Sequence, residues 1–424
     1  MKRFVIILLF LVTNLSAQIK FEDFFLDKTL RFDYYHTGDA KSQSIVFGEL
    51  REEPYWGGPK KNLIDPFNFG NYKYEVYDKE TGKLIFSKGY STLFAEWLTT
   101  PEAKKISRAF HETVTFPFPK REVILKLYSR DRKNNFVLNY EIEIDPDNPF
   151  IKKDKTNSFS SSKFIDNGDP SQKVDIVIIP EGYTGNELDK FKKDVEKFVK
   201  ALFGSSPYKE NMNNFNIWIV EAPSYESGTD IPRQNVWKST IVNSSFYTFD
   251  TERYLMTEDN KTLRDLAGNV PYDLIYILVN TSKYGGGAIY NHYSVAASDN
   301  ENFEYLIVHE FGHGFAGLGD EYYTSQVSYE EFYPHDVEPW ERNLTTLVDF
   351  ESKWKNLIDK DTPIPTPPTE EYKDKVGVFE GGGYVPKGVY RPMQDCTMKS
   401  RTVNNFCVVC KKTIQDMINY YCEK

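Results

Sequence analysis

Apolar and polar residues alternate in two stretches of the first 150 positions. "NYKYEVYDKETGKLIFSKGY" sets two such runs around Glu80-Thr81-Gly82, and "REVILKLYSRDRKNNFVLNYEIEID" repeats the design around a turn at Arg132 to Asn135. Period-two alternation about a short turn predicts hairpins. Short strands at this spacing predict an all-β, sandwich-like domain over residues 18–150. The following stretch, to residue 173, is rich in Ser, Asn, Asp and Pro, which predicts a linker or irregular crossing over 151–173.

From Val174 the pattern changes. "VDIVIIPEGYT" is a continuous apolar run ending in a turn, the signature of a buried strand. In "NELDKFKKDVEKFVKALFG" the apolar positions Leu188, Phe191, Val195, Phe198, Val199 and Leu202 share one helix face, and Gly204 marks a stop. "NFNIWIVEAP" and "YDLIYILVN" are two further buried strands. This order predicts an α/β domain with a central sheet over 174–424. Residues 324 to about 390 look irregular, because the prolines of "DTPIPTPPTEEY" exclude regular helix and central strand, although Trp340 and Trp354 should pack. "FCVVCKKTIQDMINYYCEK" predicts a final amphipathic helix.

Composition narrows the class. With 424 residues the chain can hold two or three domains, and 60 tyrosines and phenylalanines (29 and 31) agree with a β-rich portion. A net charge of −10 argues against nucleic acid as a partner, which needs basic surface. After residue 20 no apolar span is long enough for a transmembrane helix. The first 17 residues read as a signal peptide, with cationic Lys2 and Arg3, an apolar run Phe4 to Val12, and a small-residue exit at Ser16-Ala17. Cleavage after Ala17 removes two cations, takes the formal charge from −10 to −12, and makes the protein exported: periplasmic, cell-surface or secreted. All four cysteines, Cys396, Cys407, Cys410 and Cys422, fall in the last 29 residues. An even count in an exported chain predicts up to two disulfides, with free thiols or structural zinc as alternatives.

The chemistry gathers in "HEFGHGFAGLGDEYY", His309 to Tyr323. A helix from about Asn302 puts His309 and His313 one turn apart on one face, as two neutral nitrogens of a Zn²⁺ site require. Glu310 beside them suits a general base acting on metal-activated water. With six histidines in the chain, the chance expectation for this pattern is only about 0.007 occurrences. Gly317 can end the helix in a left-handed conformation, and Asp320 follows three positions later as the expected third ligand, with Glu321 its near competitor. His36, His111, His292 and His335 have no spacing argument for a ligand role.

These residues resemble the active-site motif of the IgA-cleaving metallopeptidase family, an outlying group of metzincin-like zinc proteases. "VDIVIIPEGYT", "VYRPMQDCTMKS" and "FCVVC" look like further pieces of that family, so the likeness spans about 170–424. The resemblance implies a mixed sheet with an active-site helix, His309, His313 and Asp320 as ligands of one catalytic zinc ion, and Glu310 as base. It also implies Met398 in a Met-turn beneath the metal, with Met393 as the other candidate. Three residues, rather than the usual two, separate the second histidine from the glycine. The third ligand is an acid, and Ser400 stands where a transition-state tyrosine would be.

The sequence thus predicts an exported zinc endopeptidase acting on protein or peptide substrates. A surface-binding protein with a non-catalytic metal site is one rival, although an intact Glu310 speaks against it. A zinc amide hydrolase of cell-wall or glycan substrates is another. "YGGGAIYNHYSVAASDN", Tyr284 to Asn300, either offers a strand to an extended substrate or lets the helix approach the sheet.

Overall fold

A computed structural model describes residues 19–156, 159–323, 333–403 and 405–423. The expected signal peptide at 1–17 and part of the irregular region after residue 323 lie outside the described residues. Among the described residues no helix is long and apolar enough to cross a membrane.

The first 150 residues are β-rich. A short helix α1 (Phe21–Phe24) leads into β1 (Phe25–Gly38), followed by β2 (Gln43–Glu53), β3 (Tyr72–Asp78), β4 (Leu84–Tyr90), α2 (Leu93–Trp97), β5 (Arg108–Pro119), β6 (Val123–Arg130) and β7 (Phe136–Ile144). They form two antiparallel sheets, β2-β1-β5 and β4-β3-β6-β7. Both predicted hairpins are present, as β3–β4 and β6–β7. Leu30, Phe32 and Phe116 of one sheet and Tyr74, Val76 and Leu125 of the other meet in a single core.

The second region is built on a six-stranded mixed sheet, ordered β12-β13-β11-β9-β10-β8. Its strands are β8 (Ser161–Ile165), β9 (Val174–Glu181), β10 (Phe215–Val220), β11 (Leu274–Val279), β12 (Gly286–Ile289) and β13 (Tyr293–Ala297). The four central strands run parallel, and β8 and β12 are antiparallel edges. The polar stretch before Val174 therefore contributes a strand: its backbone pairs with β10 at the sheet edge, where polar side chains reach solvent. Alternate residues of β9 face opposite layers. Ile176 and Ile178 pack with α3 (Leu188–Leu202), α5 (Phe303–Ala316) and α6 (Val408–Tyr421), while Val177 and Ile179 pack with α4 (Asn260–Ala267) and α2. Among the described residues between α5 and α6 the backbone is mostly turns, with one hairpin, β14 (Phe379–Gly382) and β15 (Val385–Arg391). Trp354 is fully enclosed and donates its indole N–H to Gly377 O at 2.7 Å.

Among the described residues no disulfide is formed. All four thiols are free and buried, and for Cys422 the reason is geometric. Cys407 and Cys410 lie at the N-terminal end of α6, whereas Cys422 follows its C-terminal end. Fourteen helical residues span about 21 Å, far beyond disulfide reach. Cys422 instead donates to Asn214 O at 3.6 Å. The even count thus divides into three converging thiols and one isolated thiol.

Charged residues tie the two regions together. Arg31 is wholly buried; its Nη2 lies 2.7 Å from both Asp33 Oδ2 and Asp265 Oδ1, and its Nη1 lies 3.3 Å from Glu53 Oε1. Asp265 sits on α4, so this one guanidinium links β1 to the second region. Arg31→Met removes the cation and leaves the buried Asp33 and Glu53 carboxylates without it. Breaking such a buried set costs on the order of 3–5 kcal/mol. Urea unfolding of the purified variant measures this, and a loss below about 1 kcal/mol would contradict the interpretation.

Candidate metal centre

Helix α5 is buried nearly all round, between β12 and β13 on one side and α3 and α6 on the other. Asn302 caps it without a side-chain bond, while Asn300 Oδ1 accepts from Asn302 N at 2.9 Å. The helix ends as the sequence suggests: Gly317 has φ 59° and ψ 34°, and its N–H bonds His313 O at 3.0 Å. Asn343 then fixes the next turn, accepting from Gly319 N and donating to Gly319 O, each at 2.8 Å. This reversal returns Asp320 to the face carrying the histidines.

His309 Nε2 and His313 Nε2 are 3.1 Å apart, and Asp320 Oδ1 lies 3.2 Å from the first and 3.3 Å from the second. Bonds of 2.0–2.1 Å to a tetrahedral ion imply ligand-to-ligand edges of about 3.3 Å, so the triangle fits. The tautomers fit as well. His309 Nδ1 is 3.0 Å from Thr397 O, and His313 Nδ1 is 2.5 Å from Leu318 O. A carbonyl only accepts, so each proton sits on Nδ1 and each Nε2 presents a lone pair to the centre. Asp320 Oδ1 is then a buried acceptor with no hydrogen-bond donor. Three acceptors converging without a donor is an arrangement that a cation satisfies.

The local electrostatics show that the same groups draw positive charge, as a proton or as a cation. Burial works against a charged His313, but the Asp320 carboxylate outweighs it and pushes the pKa up to about 9. Burial likewise opposes the Asp320 anion, yet His313 and His309 hold it well below the usual carboxylate range. Burial pushes Glu310 up, against the pull of both histidines.

Glu310, His309, His313 and Asp320 all line one cavity of about 620 Å³. Glu310 lies beside the edge strand, 3.4 Å from where a Cβ on Gly286 would stand. Glu321 points elsewhere: its Oε1 accepts from Asn343 Nδ2 at 3.0 Å and lies 3.3 Å from Cys410 Sγ. Met398 is fully buried under α5, with its sulfur 3.0 Å from the position of a Cβ on Gly312, and its carbonyl accepts from Glu321 N at 2.9 Å. Met393 is only partly buried, at the core margin. His36, His111 and His292 lie apart from this centre, bonded to Gln43, Asn260 and Arg264 respectively. His335 packs over Gly388.

Several contributors had weak or no sequence signals. Tyr384 donates to Asp320 Oδ2 at 2.7 Å from 64 residues away, a contact that no local pattern announces. Tyr305, whose OH is 3.0 Å from His309 Nδ1, sits one helical turn before it and was findable from that spacing. Arg253 bonds Tyr322 OH at 3.1 Å on the cavity wall. Glu96, which accepts from Tyr254, brings the N-terminal region to the same wall, and burial pushes it up to about 7.

A family model described as IgA peptidase M64 matches residues 163–374 and 368–418, more than half the chain, and one described as the peptidase M64 N-terminus matches residues 20–141. Such a match defines a metallopeptidase, a hydrolase of peptide bonds. The chain belongs to the IgA peptidase M64 family. A search of curated proteins finds no match.

Gly317 offers a direct test of how the loop is held. A Cβ there would meet Trp340 at 2.8 Å in a left-handed backbone, so Gly317→Ala should cost about 1–2 kcal/mol. Gly185→Ala, where nothing lies within 4 Å, should stay within about 0.5 kcal/mol. Parallel denaturant titrations compare them, and equal effects would contradict the assignment.

Proposed function

We propose that the protein is an exported zinc endopeptidase, with His309, His313 and Asp320 as the ligands of one catalytic ion and Glu310 as its general base. The observation that carries this reading is the triangle of two Nε2 lone pairs and Asp320 Oδ1, with edges of 3.1 to 3.3 Å. When bound, zinc supplies a Lewis acid for the scissile carbonyl and lowers the pKa of the attacking water. Glu310 would accept a proton from the attacking water and return it to the departing amine. Thr397 O and Leu318 O keep the two imidazoles in the ligand tautomer, and Tyr384 holds the far oxygen of Asp320. Met398 packs beneath the helix as the floor of a Met-turn in a metzincin-like catalytic domain. The two N-terminal sheets act as a sandwich-like domain that supplies part of the cleft wall.

The substrate is an extended polypeptide. Edge strand β12 runs along the cavity, and Gly287, Ala288 and Ile289 line it. Gly286 is already engaged, bonding Arg253 O at 3.2 Å and Leu255 N at 3.4 Å. An incoming chain adds beside the remaining residues as a further strand. A peptide hydrolase family displaces the reading as a pure binding protein and favours peptides over cell-wall amides. Immunoglobulin cleavage, which the family's name carries, is not transferred, because specificity resides in the cleft. The export reading rests on the Lys2-Arg3, apolar, Ser16-Ala17 order of the first 17 residues.

Glu310→Gln keeps the three ligands and removes the base. The variant should retain zinc at the wild-type level and lose at least about 100-fold in peptide cleavage, as loss of a positioned acid–base group does. Elemental analysis alongside a mixed peptide library checks both. Full activity in this variant would assign the base elsewhere.

A further inference from the structure

Behind the histidine site lies a second convergence of ligating groups that catalysis does not use. Glu321, Cys396, Cys407 and Cys410 are all buried, and each offers one atom within 4.8 Å of the others. Cys396 Sγ and Cys410 Sγ are 3.9 Å apart, and Glu321 Oε1 is 3.3 Å from Cys410 Sγ and 4.0 Å from Cys407 Sγ. Zinc–sulfur bonds of 2.3 Å in a tetrahedron imply sulfur edges of about 3.8 Å. A disulfide would need about 2 Å.

The backbone around the thiols favours sulfur as an acceptor. Cys407 N donates to Cys396 Sγ at 3.2 Å, and Cys410 N donates to Cys407 Sγ at 3.4 Å. Cys407 is also the N-cap of α6, where the helix dipole favours negative charge. Glu321 Oε2 is buried without a hydrogen-bond partner. A disulfide between any two thiols would leave that carboxylate and the third sulfur facing an uncharged bond. A divalent cation satisfies all four groups at once.

We propose that Glu321, Cys396, Cys407 and Cys410 form a second, structural metal site that takes zinc. It stands independently of the reading of the histidine centre. Its position explains its use. Asp320 faces the histidines while its neighbour Glu321 faces the thiols. Cys396 belongs to the thiol cluster, whereas the next residue, Thr397, accepts from His309. The second ion therefore pins both segments that set the geometry of the first centre, and keeps three thiols from oxidation.

Cobalt(II) is the probe, since thiolate coordination gives it an intense near-ultraviolet charge-transfer band that imidazole and carboxylate do not. The full chain, stripped of metal under reducing conditions, is titrated as the unaltered protein and as the His309→Ala, His313→Ala double variant. The double variant should bind one cobalt per chain with the thiolate band, and zinc should displace it. The unaltered chain should bind two cobalt ions, with the same single band. Cys410→Ser should abolish the band while the histidine centre still binds its ion. Should the double variant not fold, the unaltered chain decides alone: cobalt bound without a thiolate band overturns the proposal. So does a disulfide among Cys396, Cys407 and Cys410, found by peptide mapping of protein recovered under native conditions. One ion per chain carrying the thiolate band supports this site and rejects the histidine centre, so the two readings fail separately.

Discussion

Two imidazole nitrogens and a carboxylate oxygen meet within 3.3 Å inside the protein, and each presents electron pairs rather than protons. Among the described residues no hydrogen-bond donor reaches Asp320 Oδ1. Groups so placed repel unless a cation or proton joins them. Much of the surrounding structure holds this arrangement in place. Asn343 clamps the loop that returns Asp320, Thr397 and Leu318 fix the imidazole protons, and Met398 sits under the helix at Gly312. The proposed zinc ion relieves the repulsion and turns it into chemistry.

The fold provides the setting by burying α5 against the sheet and two other helices. A helix exposed on one side would let the histidines hydrate and move, whereas here packing on several sides leaves little freedom except towards the cavity. The cavity wall is shared between regions. Glu96 and Tyr254 meet on it, and the Arg31 cluster joins the N-terminal sheets to α4 behind it. The N-terminal region is therefore part of the cleft and not an appendage to it.

Local patterns were readable and long-range ones were not. Two hairpins, the α3 face, the buried strands at Val174, Phe215 and Leu274, and the helix stop at Gly317 all follow from periodicity and turn chemistry. The return of the chain at Asp320 towards the histidines was legible because a glycine at a fixed distance reverses it. Glu321 remained the competitor of Asp320 in the sequence, since adjacent residues separate only once Asn343 and the thiols are in place. The cysteine count does not show how the thiols group, because α6 holds Cys422 far from Cys407 and Cys410 while Cys396 joins those two from a distant segment. Tyr384 reaches Asp320 from a hairpin 64 residues away, and sequence separation of that size leaves no periodic trace. The strand at Ser161–Ile165 was hidden because an exposed edge strand needs no apolar run.

Anomalous diffraction at the zinc edge, on crystals of the full chain supplied with zinc, decides whether the histidine triangle holds an ion. An anomalous peak should stand about 2 Å from His309 Nε2, His313 Nε2 and an Asp320 carboxylate oxygen. No peak between those three atoms, or one in which Asp320 is replaced by another side chain, would contradict a zinc centre built on these ligands.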